Sequence, residues 1–155
     1  MPAQNRGESR QDYETPPDFV AAVVRMFGPL SVDLACLPPT AKASDYLTPD
    51  DDSLSVSWAE HYRGNCWLNP PFSHIPPWAK KCAKEIKKMG PHDRILFLTP
   101  ASIGANWFWD HVAPNALVLP LSPRLIFVGE VHHYPKDLML SVFGEKPGIE
   151  RWKWK

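Results

Sequence analysis

The pattern of apolar and polar positions near the start of the chain changes from polar residues to helical spacing and then to a strand. Polar residues dominate positions 1–11, which we expect to be disordered. Apolar residues then recur at helical spacing, namely at Phe19, Val20, Val23, Val24 and Phe27. The segment Leu30 to Leu34 is predicted to be a strand. The folded part of the chain is therefore expected to begin with a helix followed by a strand.

The rest of the chain continues this alternation of strands and helices. The predicted elements are a strand at Cys66–Leu68, a helix at Trp78–Met89, a strand at Arg94–Leu98, a short helix at Asn106–His111, a strand at Ala116–Leu119, and two strands at Leu125–Val128 and Leu138–Phe143. Such alternation indicates a mostly parallel sheet with crossovers, and the last two strands read as an antiparallel hairpin. We expect a Rossmann-like, doubly wound α/β fold with an antiparallel C-terminal hairpin, and ligands at the carboxyl ends of its strands.

Length, composition and charge limit the possible kinds of protein. A chain of 155 residues with 44% hydrophobic residues suits one compact domain, which we place at residues 12–155. No run of about 18 apolar residues and no signal-peptide core are present, so we expect a cytoplasmic protein without a membrane segment. The three cysteines include no C-x-x-C pair, which argues against a disulfide framework and a zinc site. The net charge is zero, so nucleic-acid binding requires charges gathered on one face.

The segment Asn69-Pro70-Pro71-Phe72 directly follows the apolar run Cys66 to Leu68, at the carboxyl end of a predicted strand. The prolines lack an N–H and have a fixed φ, so nearby carbonyls point outward as acceptors. Together with the Asn69 side-chain oxygen, they suit the two hydrogens of an exocyclic amine, and Phe72 offers a ring for stacking. Such acceptors draw the amine lone pair out of ring conjugation and prepare the nitrogen to attack a methyl sulfonium. A Pro-rich turn that merely ends a strand is the alternative.

Other motifs accompany this segment in a fixed order. They are Glu14-Thr15-Pro16 ahead of the first helix, Asp33-Leu34-Ala35-Cys36 at the end of the first strand, the acidic stretch Asp50 to Asp52 ahead of Trp58, and the R-x-x-F segment Arg124 to Phe127. The combination spans most of residues 12–144. It resembles the S-adenosylmethionine-dependent DNA methyltransferases that modify amino groups, and is most similar to the small phage-type, Dam-like adenine-N6 methyltransferases.

The resemblance implies a methyltransferase fold and a cofactor site for S-adenosylmethionine. By resemblance, Tyr13, Thr15 and Pro16 flank the methionine end of the cofactor. Asp33, Ala35 and Cys36 line its pocket. Asp52 is assigned to the adenosine end by its match to the family's acidic step, and an N-cap in an Asp-rich turn is the open alternative. The usual glycine-rich loop is missing after the first strand, which disfavours a dinucleotide with its pyrophosphate.

Candidate DNA contacts follow the N-P-P-F segment. They are Ser73, His74, Lys80, Lys81 and Arg124. His74 has the alternative role of capping the next helix. The C-terminal Arg151-Trp152-Lys153-Trp154-Lys155 alternates basic and aromatic residues, a pattern that suits either a nucleic-acid arm or a last strand that docks its tryptophans.

These features together predict direct methyl transfer from S-adenosylmethionine to the N6 amine of adenine in DNA, without a metal, in a phage-infected or prophage-carrying bacterial cell. Asn69, Pro70, Pro71 and Phe72 form the expected catalytic set. The target base has to leave the duplex, because a stacked base cannot reach the sheet edge. The alternatives are methylation of another planar amine (cytosine N4, an RNA adenine or a protein glutamine) and a catalytically silent nucleic-acid-binding relative.

Overall fold

A computed structural model of the protein describes residues 13–155, and the expectation of disorder for residues 1–11 lies outside this range. Within the described residues the strands are β1 Leu30–Asp33, β2 Asn65–Leu68, β3 Arg94–Pro100, β4 Ala116–Ser122, β5 Leu138–Phe143, β6 Gly148–Ile149 and β7 Trp152–Lys153. The helices are α1 Pro17–Phe27, α2 Trp58–His61 and α3 Pro76–Ile86, with a π-helical turn at Phe108–Val112. Three 3-10 turns lie at Pro38–Thr40, Pro49–Asp51 and Ser53–Ser55.

The strands form one mixed sheet in the order β1-β2-β3-β5-β4-β6, with β7 also paired to β4. The pairs β1–β2 and β2–β3 are parallel, and β5 lies antiparallel between β3 and β4. The short strands β6 and β7 run parallel to β4. This arrangement confirms the predicted α/β class with a mostly parallel sheet and antiparallel strands near the C-terminus.

Leu125–Val128 is not a strand, and the antiparallel partners of β5 are β3 and β4, so this part of the prediction is wrong. Both edges of β5 are already hydrogen-bonded, to β3 and to β4, and no edge is left for a further strand. Leu125 and Phe127 are nevertheless buried, while Ile126 and Val128 are exposed, which is why the segment reads as a strand in the sequence. Its backbone bonds go to loops, since Val128 N donates to Glu14 O at 3.1 Å and Tyr134 N donates to Leu125 O at 2.8 Å.

The sheet buries a different set of side chains on each face. Alternate residues of a strand point to opposite faces. Cys66, Leu68, Ile95 and Phe97 pack with α3 and the π-helical turn, whereas Trp67, Leu96 and Leu98 pack with α1 and the C-terminal residues. The sheet therefore forms the middle layer between helices on both sides, as expected for a doubly wound fold.

The C-terminal residues dock onto the sheet. Trp152 belongs to β7, and Trp154 is 9% exposed, with its Nε1 donating to Pro123 O at 2.7 Å. The ring of Phe19 in α1 lies 5.6 Å from Trp152 and 5.1 Å from Trp154. Of the two alternatives for this segment, the structure shows the last strand that docks its tryptophans. None of the helices among residues 13–155 is long and apolar enough to cross a membrane.

Candidate active site

The carboxyl ends of β1 and β2 and the segment ahead of α1 border a cavity of about 290 Å³. The two strands are parallel neighbours, so Asp33 at the end of β1 and Asn69 just beyond β2 emerge at the same edge. After β1 the chain folds back along the strand, with Leu47 N donating to Asp33 O at 2.9 Å and Asp33 N donating to Asp45 O at 3.0 Å. This returning loop forms the outer wall of the cavity.

The cavity gathers most of the residues that the sequence assigns to the cofactor. Tyr13, Thr15, Asp33, Ala35, Cys36 and Asp52 all line it. Pro16 does not line the cavity and instead occupies the N-cap position of α1. Residues separated by up to 39 positions in sequence thus meet at one place, as the prediction requires. Their contact with a cofactor stays a prediction.

Asn69 is held in one orientation by its own side-chain nitrogen. Its Nδ2 donates to the Tyr13 carbonyl at 2.7 Å and to Thr15 Oγ1 at 3.0 Å. The carbonyl of Tyr13 can only accept, so this bond fixes which end of the amide is nitrogen. The side-chain oxygen accepts no hydrogen bond from residues 13–155 and belongs to a residue that lines the cavity. Asn69 therefore presents an acceptor to a ligand.

The two prolines after Asn69 are placed differently. Pro71 lines the cavity, whereas Pro70 is buried and does not. The Pro71 carbonyl accepts from His74 N at 3.4 Å, while the Pro70 carbonyl receives no backbone hydrogen bond within the described part of the chain. Pro70 O therefore keeps its capacity to accept a further hydrogen bond.

Phe72 packs in a cluster of aromatic rings. Its ring centroid lies 5.6 Å from Tyr13, 6.2 Å from Phe127 and 5.7 Å from Tyr134. Phe127 is buried, and the other three rings are half-buried. Since Asn69 donates to the Tyr13 carbonyl, this aromatic cluster adjoins the amide. Tyr134 lies in a polar loop and shows no periodic signal, so its place in this cluster could not be predicted from the sequence.

Asp33 is a buried carboxyl with a raised pKa. It is 2% exposed, and its oxygens accept from Ala35 N at 3.2 Å and from Lys42 N at 2.9 Å. Burial raises the pKa of Asp33 to about 6, although these two hydrogen bonds and the Lys42 charge oppose the shift. Asp33 is therefore ionised at neutral pH and loses its charge in mild acid. Burial and the nearby Asp33 charge raise the pKa of the Cys36 thiol to about 12, so Cys36 stays protonated and contributes no nucleophile.

Among residues 13–155, the charged side chains that line the cavity are three carboxylates and one ammonium group. They are Glu14, Asp33 and Asp52 against Lys42. The surplus of negative charge favours a cationic ligand and disfavours phosphates, in agreement with the missing glycine-rich loop. The sequence did not single out Lys42, because it lies in the irregular loop after β1, and the fold of that loop holds it at the site through a backbone bond to Asp33.

Asp52 occupies the N-cap position of the 3-10 turn Ser53–Ser55 without a side-chain capping bond to the backbone, and its assignment to the adenosine end stays a prediction. It lines the cavity, and its Oδ2 accepts from Ser55 Oγ at 2.6 Å within the 3-10 turns. Its backbone has the left-handed φ of 50°, uncommon for a residue other than glycine. Apolar residues complete the wall on several sides of the cavity, among them Leu34, Leu54 and Trp78, which suits a planar base.

The predicted DNA contacts divide into free and engaged side chains. Ser73, His74 and Lys80 are exposed beside the N-P-P-F segment. His74 does not cap α3, whose N-cap position is Ile75. Arg124 is half-exposed, and its Nε donates to Asp137 Oδ1 at 3.0 Å.

Lys81 is engaged inside the fold. Its Nζ lies 3.4 Å from Glu85 Oε2 and 5.3 Å from the ring centroid of Trp58, and its side chain is 12% exposed. This ammonium supports a buried carboxylate, which leaves it poorly placed for a phosphate. We therefore exclude Lys81 from the proposed DNA surface. No group of three or more His, Cys, Asp or Glu side chains within residues 13–155 is arranged to hold a metal ion.

Comparisons with known proteins find one matching family and several relatives. The sequence model of the family described as DNA N-6-adenine-methyltransferase (Dam) matches residues 3–137. A DNA N-6-adenine-methyltransferase of Haemophilus phage HP1 is 23% identical over 155 residues, covering 94% of this chain and 86% of the relative. A putative methyltransferase, YfdM, of Escherichia coli is 30% identical over 80 residues, covering 50% of this chain and 84% of the relative. A DNA N-6-adenine-methyltransferase of Escherichia phage T1 is 25% identical over 101 residues, covering 65% of this chain and 40% of the relative.

Proposed function

The chain belongs to the DNA N-6-adenine-methyltransferase (Dam) family and is a DNA adenine methyltransferase, and from this premise we propose that it uses S-adenosylmethionine and acts on an adenine flipped out of the duplex. One observation carries the proposal. The Asn69 amide nitrogen is bound to Tyr13 O and Thr15 Oγ1, so its oxygen is the end left to accept a hydrogen from a substrate amine.

The cavity fits the proposed cofactor in charge and in surface. When bound, S-adenosylmethionine supplies a methyl group on a positively charged sulfonium. Glu14, Asp33 and Asp52 give the cavity the negative charge that such a cation prefers, and its apolar walls suit the adenosine end. Tyr13 and Thr15 stand beside Asn69, so they adjoin both the cofactor cavity and the reacting amine.

Asn69 and Pro70 supply the acceptors for the target amine. Asn69 Oδ1 takes one amine hydrogen, and the Pro70 carbonyl takes the other. Both bonds strengthen as the nitrogen becomes tetrahedral, so they favour the transition state over the bound adenine. The Phe72 ring stacks on the base, supported by Tyr13, Phe127 and Tyr134.

The base reaches these groups only outside the helical stack. Flipping costs on the order of a few kcal/mol, which stacking on Phe72 and the polar contacts offset. Ser73, His74, Lys80 and Arg124 lie on the proposed DNA surface around the opening. We place the enzyme in the cytoplasm of a bacterial host cell, where this substrate is found, and keep residues 12–155 as the proposed methyltransferase domain.

Thermal unfolding tests the cofactor assignment. S-adenosylmethionine and its product S-adenosylhomocysteine should stabilise the protein by about 2.7 kcal/mol at one hundred times the dissociation constant. NADH is the matched control and should leave the melting temperature unchanged, because the carboxylates of the cavity repel its negatively charged pyrophosphate. No shift with either methionine-derived compound would remove the cofactor proposal and would favour a catalytically silent relative.

A further inference from the structure

Glu14 and Lys42 form an ion pair across the cavity. Lys42 Nζ lies 2.9 Å from Glu14 Oε2, and the two side chains are 13% and 31% exposed. Glu14 lies in the segment ahead of α1, and Lys42 lies in the loop after β1, so the pair joins two walls. A pair this far withdrawn from water interacts more strongly than an exposed one.

Lys42 is the one cationic residue that lines the cavity within the described residues. A ligand carboxylate has no other positive partner there. The Lys42 backbone N–H donates to Asp33 Oδ2 at 2.9 Å, and this bond holds the residue at the cavity wall. Glu14 keeps one carboxylate oxygen without a hydrogen bond from residues 13–155. Each member of the pair therefore has capacity for one more partner of opposite charge.

We propose that this pair is the subsite for the amino-acid end of the cofactor, with Lys42 Nζ binding the carboxylate and the Glu14 carboxylate binding the ammonium. The inference rests on the proposed use of S-adenosylmethionine. The amino-acid end of that molecule is a zwitterion, with its two charges on one carbon atom. When the amino-acid end docks against Glu14 and Lys42, the two side-chain charges and the two ligand charges alternate in sign around a ring. Each charge then has two neighbours of opposite sign.

The position along the cavity agrees with this assignment. Asn69 Nδ2 binds the residues on either side of Glu14, namely Tyr13 and Thr15. Glu14 therefore lies next to the amide proposed to orient the target amine. In the cofactor, three bonds separate the amino-acid carbon from the sulfonium. A zwitterion held at Glu14 and Lys42 thus keeps the methyl group within reach of Asn69.

A purely structural tie between the two walls is the competing explanation. It predicts that loss of Lys42 loosens the whole cavity and weakens every ligand alike. The proposed subsite predicts a loss only for ligands that carry the amino-acid end. Truncated ligands separate the two explanations.

Calorimetry on the purified full chain provides the test. The probes are S-adenosylhomocysteine, decarboxylated S-adenosylmethionine and 5′-methylthioadenosine, which lacks the amino-acid end altogether. Lys42→Ala should weaken S-adenosylhomocysteine by about ten- to a hundredfold, as expected for a charged hydrogen bond, and leave the other two probes unchanged. Glu14→Gln should weaken both probes that keep the ammonium and spare 5′-methylthioadenosine.

Control variants secure the result. Lys146→Ala removes an exposed lysine just after β5, at the sheet edge opposite the cavity, and should leave binding of all three probes unchanged. Lys42→Met keeps the aliphatic stem and should reproduce the selective loss even if Lys42→Ala unfolds, and Lys42→Arg should restore part of the affinity. Equal losses for S-adenosylhomocysteine and 5′-methylthioadenosine, or no loss at all, would overturn the subsite while the cofactor proposal stands. Failure of the unaltered protein to bind any probe would overturn both.

Discussion

The cofactor cavity and the proposed DNA surface differ in how their residues are held. In the cavity, the functional side chains bind one another and the backbone, as Asn69 does through Tyr13 and Thr15, and as Asp33 does through two N–H groups. On the proposed DNA surface, Ser73, His74 and Lys80 are exposed. The cavity is therefore pre-organised, which transfer chemistry requires. The DNA surface instead relies on charges that act through solvent.

The largest expected effect concerns the cavity. Asn69→Ala removes an acceptor whose bond strengthens in the transition state, so single-turnover methylation should slow by about a hundredfold or more. Affinity for S-adenosylhomocysteine should change little, because the variant leaves the carboxylates and Lys42 in place. Rapid-quench methylation beside calorimetry measures both quantities. Equal rates for the variant and the unaltered enzyme would show that the N-P-P-F segment is a turn without a catalytic role.

A second effect, about tenfold for each pH unit, concerns Asp33. Burial raises the pKa of this carboxyl to about 6. Below that pH, protonation removes a negative charge that complements the cationic cofactor, so affinity should fall with acidity. Calorimetry with S-adenosylmethionine, which carries the sulfonium charge, measures this effect between about pH 5 and 7, with circular dichroism confirming that the protein stays folded. Affinity independent of pH across this range would show that the charge of Asp33 does not contribute to ligand binding.

Folding should respond to Asp33 in the opposite direction. Because the folded pKa of about 6 lies above the ordinary aspartate pKa of 3.8, the native state binds more protons between these values. The contribution of Asp33 to the free energy of unfolding is therefore greatest in acid and falls by about 3 kcal/mol as the pH rises through 6. The buried charge costs stability at neutral pH, where it favours the cationic cofactor.

The smallest effect concerns the DNA surface and compares two adjacent lysines. Lys80→Ala removes an exposed charge and should reduce the slope of log affinity against log salt by about one unit, with stability unchanged. Lys81→Ala should leave the slope unchanged and destabilise the fold by about 1 to 3 kcal/mol, because the buried Glu85 carboxylate loses the nearer of its two ammonium partners. Salt titrations and urea unfolding of both variants measure this. A smaller slope for Lys81→Ala would contradict this and show that Lys81 contacts DNA phosphates.

The difference between the cavity and the DNA surface also explains how much of the site could be predicted from the sequence. Strand ends are strong signals, because an apolar run that stops at Asp33 or just before Asn69 places both residues at one edge of a parallel sheet. Six of the predicted cofactor residues therefore line one cavity. Lys42 could not be found this way, since a folded-back loop brings it to Asp33. Helical spacing places Lys81 four residues before Glu85 and allows this ion pair. It cannot show that Glu85 is buried or that the Lys81 ammonium lies over the Trp58 ring.

The strand prediction for Leu125–Val128 failed for a related physical reason. Alternating burial is a local property, and this segment has it because Leu125 and Phe127 pack on the core. Strand formation also needs a free sheet edge, which depends on distant residues. The edges of β5 are taken by β3 and β4. Local pattern thus predicted burial correctly and pairing incorrectly.

Mass spectrometry of nucleosides tests whether the protein methylates adenine in DNA and whether Asn69 is needed for it. Unmodified duplex DNA of mixed sequence is incubated with the purified protein and S-adenosylmethionine carrying a deuterated methyl group, and is then digested to nucleosides. The account predicts deuterated N6-methyldeoxyadenosine, formed by the unaltered enzyme and reduced by about a hundredfold or more with Asn69→Ala. Deuterated N4-methyldeoxycytidine in its place, or N6-methyldeoxyadenosine formed equally well by Asn69→Ala, would contradict it.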